Sequence, residues 1–176
     1  CSTMSAHAGK KTKAPVLVDE TERRDDYPVV LVFRKNTPNM QSFVSGMKDE
    51  LEAEFDIVAS EVGKKTQADD LGAAIAATNP AAVVLMDNPT VNLYREYQES
   101  KAGEEFPPAV IVMSLFLEEV APSVKNATGI SYEVPGVTTF VSLRKVVEAP
   151  VTKVGVIHRP QFAAFIDKQK QLASIE

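Results

Sequence analysis

The feature that most constrains this chain is a regular alternation of short apolar runs with helix-length amphipathic stretches. Val29–Phe33 (VVLVF) is a continuous apolar run, as expected of a strand buried on both faces. Thr37-Pro38 follows, with the residue types of a helix N-cap and first helical position. Met40, Phe43, Val44, Met47 and Leu51 then recur at helical spacing. The pattern repeats. FDIVAS (55–60) predicts a second strand, 65–78 a helix ended by Pro80, and AVVLM (82–86) a third strand. Asn88-Pro89 is expected to cap a helix through about Ser100, with Val91 and Tyr94 facing inward. AVIVM (109–113) predicts a fourth strand, and Leu117, Val120 and Val124 a short helix interrupted near Pro122. Gly129–Tyr132 predicts a short fifth strand, 138–147 a helix, VTKVGVI (151–157) a sixth strand, and Phe162, Phe165, Ile166 and Leu172 a last helix.

Strands and helices alternating at these lengths build βαβ units. The expected fold class is α/β, a mainly parallel sheet with helices on both faces. In open sheets of this kind ligands gather at the carboxyl ends of the strands. The loops 34–37, 87–90, 114–116 and 132–136 are therefore where a site is expected.

The residue types in those loops admit two readings each. Arg34, Lys35 and Asn36 either clamp a carboxylate, the guanidinium giving a two-pronged hydrogen bond, or form a solvated loop that caps the next helix. Asp87, Asn88 and Thr90 either face a solute, with Asp87 favouring an amine, or simply cap a helix through Asn88. Ser114 is a small polar lining residue beside the bulkier Leu115 and Phe116, which suit an aromatic ligand or a protein contact. Tyr132 either stacks on a planar ligand or covers a sheet edge, with Glu133 beside it.

Other chemistries lack their residues. The net charge of −5 disfavours nucleic acid as a partner. One cysteine and two histidines, His7 and His158, form no metal-ligand cluster, so neither a metal nor another cofactor is expected. No nucleophile stands with a base partner, so the chain is not expected to be an enzyme. A receiver domain needs an acidic pair after the first strand, where this chain has Arg34-Lys35-Asn36. Asn126-Ala127-Thr128 matches a glycosylation sequon and is expected to be a turn.

The N-terminal region has a different character. Cys1 is the single cysteine, and residues 2–27 are rich in Ser, Lys, Thr, Asp and Glu, with one apolar cluster at Val16–Val18. Such a stretch buries too little apolar surface to offset its ordering entropy. As a coil it spans roughly 25–30 Å. A cysteine at the head of a polar tether resembles a mature bacterial lipoprotein, in which the thiol carries a diacylglycerol and holds the domain at an extracytoplasmic membrane surface. Ser2 resembles the residue that sorts such proteins to the outer membrane.

Several segments taken in order, NPAAVVLMDNPT, FPPAVIVMSL and NATGISYEVPGVTTFVSLRKVVEAPVTKVGVIHRP, are similar to the ABC transporter substrate-binding protein family of the tryptophan/tyrosine-binding lipoprotein type. The resemblance covers about residues 28–160. It implies a periplasmic-binding-protein fold of the first class, in which two α/β lobes close on a small solute such as an amino acid and present it to a permease. By resemblance, 1–27 is the lipid-anchored tether, 28–147 lobe one, and 148–176 a hinge and the first βα unit of a shortened second lobe. Ligand contacts are then expected from Arg34, Asn36, Asp87, Asn88, Ser114 and Tyr132, with lipidation at Cys1. A lone strand and helix cannot bury a core of their own. The alternative expectation is thus an envelope lipoprotein that uses one lobe as a scaffold or adaptor for an envelope protein partner, without transport.

Overall fold

A computed structural model describes residues 24, 26–132, 134, 136–148 and 151–175. Cys1, nearly all of the tether, Glu133, and Ala149 and Pro150 of the expected hinge lie outside the described residues. The chain divides into two compact units, one running through Ile130 and the other from Ser131 onward.

The first unit contains β1 (Val29–Arg34), α1 (Pro38–Leu51), β2 (Asp56–Glu61), α2 (Ala68–Thr78), β3 (Ala82–Met86), α3 (Asn88–Ser100), β4 (Ala109–Val112), α4 (Leu117–Val120) and β5 (Ala127–Gly129). The five strands form one sheet in the order β2-β1-β3-β4-β5. Every pairing is parallel, with Val30 opposite both Ile57 and Ala82, and Val84 opposite Val110. The α/β class read from the alternation is the class observed.

Apolar runs with no polar alternation are what a sheet covered on both faces requires. Leu31, Phe33, Val83, Leu85 and Ile111 project to one face and pack with Leu71 and Ala74 of α2 and Val91 and Tyr94 of α3. Val30, Val32, Ile57, Ala59, Val84 and Met86 project to the other and pack with Met40 and Val44 of α1. β1 is buried along its whole length, including Arg34. The solvated reading of Arg34 is therefore corrected. Its side chain continues the Val30–Val32 alternation onto the α1 face.

Local chemistry sets where the elements start. α2 begins at Ala68, later than its periodicity suggested, because Gln67 and Asp70 form a reciprocal capping box in which the Gln67 N–H donates to Asp70 Oδ2 at 2.8 Å. α3 is capped by Asp87 and not by Asn88, since the Asp87 carboxylate accepts from the Thr90 N–H at 2.9 Å. β5 spans Ala127–Gly129, earlier than expected. Asn126, at φ 53°, turns the chain into the sheet one residue ahead of it.

The second unit contains α5 (Gly136–Val146) and α6 (Ala163–Ala173), joined in part through the Gln169 side chain, which accepts from the Gly136 N–H at 2.8 Å. The expected strand at 151–157 is not present. That segment has no ladder partner among the described residues, and its Val154, Val156 and Ile157 are exposed. A run of β-branched residues becomes a strand only where an edge accepts its hydrogen bonds.

Candidate functional site

The sheet order places a topological switch between β1 and β3. The chain leaves β1 toward β2 on one side and leaves β3 toward β4 on the other. The loops after β1 and β3 consequently diverge at the carboxyl edge and leave a crevice between them.

Arg34, Asn36, Asp87, Asn88 and Ser114 all lie along this edge. Lys35 Nζ reaches across the switch to Asp87 Oδ2 at 2.8 Å. The other oxygen, Oδ1, accepts from the Thr90 N–H at 2.9 Å and the Thr90 hydroxyl at 2.8 Å. Asp87 thus neutralises Lys35 and starts α3 with one carboxylate. Its backbone has φ 93° and ψ 159°, a region that side chains rarely adopt. Such strain persists only where the surroundings over-determine it, and here the Lys35 ammonium and both Thr90 groups do so.

Asn88 has a different task from the expected cap. Its Nδ2 donates to the Leu115 carbonyl at 2.8 Å, and its Oδ1 accepts from the Leu115 N–H at 2.8 Å. This two-way amide clip fixes the loop after β4 against the loop after β3. That loop has left-handed backbone at Met113 and Phe116. Ser114 is enclosed there, 1% exposed, with only a long 3.4 Å contact from its hydroxyl to the Leu115 carbonyl, whereas Leu115 itself is exposed.

At the β1 end, Asn36 is exposed and accepts from the Gln41 side chain. Arg34 is 5% exposed, and its Nη1 donates to the Lys35 carbonyl at 3.1 Å. The Ser60 hydroxyl, near the end of β2, is buried without a hydrogen-bond partner among the described residues. Tyr132 belongs to the second unit and is exposed. Sequence reasoning named Lys35 but did not see that it pairs with Asp87, and it did not single out Ser60. A lysine following a strand carries no mark of its partner until the strand order is known.

Among the described residues, no group of His, Cys, Asp and Glu side chains is placed to hold a metal ion, and no helix is long and apolar enough to cross a membrane. An open groove of about 740 Å³ lies away from the switch, between α4 and β5, and is lined mainly by apolar groups such as Leu117, Val124 and Ala127.

No protein-family profile matches the chain, and neither does any curated protein. Among solved structures, the N-terminal domain of the nisin resistance regulator NsrR, a lantibiotic response regulator, is similar at 12% identity and a TM-score of 0.41. The match covers 68% of this chain and 97% of that one.

Proposed function

We propose that this chain is a lipid-anchored, extracytoplasmic solute-binding-type protein akin to the ABC transporter substrate-binding family. One observation carries the reading. The parallel sheet has its switch between β1 and β3, and the polar side chains Lys35, Asp87 and Asn88 stand ordered along that crevice. Ordering before the ligand arrives reduces the entropy lost on binding. The solute is small and polar, and an amino acid suits both the family resemblance and the opposite charges of Lys35 and Asp87 in the crevice. The anchor is the lipid on Cys1. Mass spectrometry under native conditions, on protein extracted in detergent from its producing membrane, tests both parts. The expected result is a mass raised by acyl chains and a bound small solute that Asp87→Ala releases. A protein with neither lipid nor solute overturns the reading.

A second reading has its own support. The crevice groups are satisfied by one another, while Leu115 is 47% exposed on the same edge. An adaptor that docks an envelope protein through this edge needs an apolar contact there. Leu115→Arg should then release a co-purifying partner and leave solute binding without a role.

A further inference from the structure

We propose that Arg34 and the opening turn of α1 form a subsite for an oxyanion, the carboxylate of a small organic acid or a phosphate. The proposal rests on the solute-binding reading and names the chemistry of one end of the ligand.

Arg34 brings a planar fork of five N–H donors and no acceptor. It is 5% exposed, yet no ion pair joins it to any described carboxylate, even though Glu61 stands opposite it in the β1–β2 register. Its Nη1 is spent on a backbone carbonyl, and its Nε is enclosed with no acceptor among the described residues. Buried charges are normally paired and hydrogen-bonded, because desolvation without compensation is strongly unfavourable. The missing partner is an anion.

By strand alternation Arg34 falls on the face of Val30 and Val32, and its guanidinium touches the carbonyl of Lys35, which leads into α1. α1 is 14 residues long, opens with Pro38, has no side-chain cap from Thr37, and carries no acidic residue in its first turn. The N–H groups of Asn39 and Met40 therefore have no intrahelical acceptor and sit at the positive end of the helix dipole. The Asn36 side-chain oxygen accepts from the Gln41 side chain and from neither of these amides. A charged fork on the last residue of β1 and a pair of backbone amides in the first turn of the helix that follows thus both stand at the carboxyl end of the sheet. Asp87 is already paired with Lys35, and Glu61, though in register with Arg34, makes no ion pair with it, so the guanidinium keeps its donors for another acceptor. Entry runs over Asn36, Thr37 and Pro38, all exposed. On binding, Arg34 exchanges its hold on the Lys35 carbonyl for the ligand oxygens.

The test is thermal unfolding of the full chain in inorganic phosphate or in acetate, with ionic strength held constant by potassium chloride. At about 100 times Kd, an oxyanion bound only by the folded state should raise the midpoint by about 5–10 °C. Arg34→Met should abolish the rise. Asn39→Pro should weaken or abolish it too, by deleting one amide at a position where proline is compatible with the helix, and it keeps the test open if Arg34→Met fails to fold. A response to phosphate alone assigns a phosphorylated ligand, and a response to acetate alone a carboxylate. No rise with either probe, or an equal rise in both variants, overturns the subsite and leaves Nε to an enclosed water. A rise that depends on Arg34, in protein that retains no organic solute from its membrane, keeps the subsite and removes the transport reading.

Discussion

Asp87 holds several tasks on one carboxylate, and substitutions separate them. Asp87→Asn keeps an oxygen for the Thr90 N–H but loses the ion pair with Lys35, whose side chain is 43% exposed. Exposed pairs contribute about 0–1 kcal/mol, so the variant should lie within that range of the parent in urea unfolding. Asp87→Ala loses the cap as well and should cost about 1–2 kcal/mol more. Tyr94 makes the opposite case. It is fully buried on α3, and burial pushes its pKa up to about 12, a rise that the neighbouring Gln98 side chain only partly offsets. The unfolded chain gives up that proton near pH 10, before the folded chain does. Stability from this group is therefore complete below about pH 10 and is lost as pH rises toward 12. Tyr94→Phe should flatten that alkaline loss and leave stability at neutral pH within about 1 kcal/mol of the parent, because the Gln98 amide beside the hydroxyl is already held by Lys125. Stability curves from pH 9 to 12 read both effects.

At the scale of elements, the strands and helices of the first unit were legible because each has a period or a continuous run that only one conformation can bury. VVLVF has no polar face to expose, so β1 had to be central. Met40 and Val44 share a helical stripe, so α1 had to cover one face. What periodicity does not encode is polar partnership across the sheet. Asn88 reads as a cap from its neighbours in sequence, but its amide is matched to Leu115 on the next loop. Gln98 does the same at the far end of α3, where its amide donates to the Lys125 carbonyl at 3.0 Å and accepts from the Lys125 N–H at 2.8 Å. α3 thus holds both ends of the connection between β4 and β5 through two amide clips. Neither was visible, because an Asn or Gln in sequence does not say which backbone it will face. The segment at 151–157 failed for a related reason: its residues favour a strand, and no edge among the described residues receives it.

The two units differ in how deeply they are built. Leu31, Phe33, Val83, Leu85 and Ile111 are wholly enclosed in the first, whereas neither α5 nor α6 contains a fully buried residue. Few buried apolar contacts mean low local free energies of opening. Amide hydrogen exchange of the whole chain should find β1 and β3 slowest, exchanging only through global unfolding, and α5 and α6 faster by several orders of magnitude. Equal protection in both units would refute this.

The register of β1 has a consequence for the order in which the chain assembles. β1 pairs on one edge with a strand that follows it closely, but its other edge waits for β3, whose Ala82 meets Val30 only after another helix has been made. During synthesis, an apolar ribbon with one open edge exists before its mate does. Such ribbons are templates for pairing with other chains. Closing the sheet through contacts this distant in sequence is also slow compared with forming its helices. The same burial that makes β1 the firmest part of the finished molecule makes it the most hazardous part of the unfinished one.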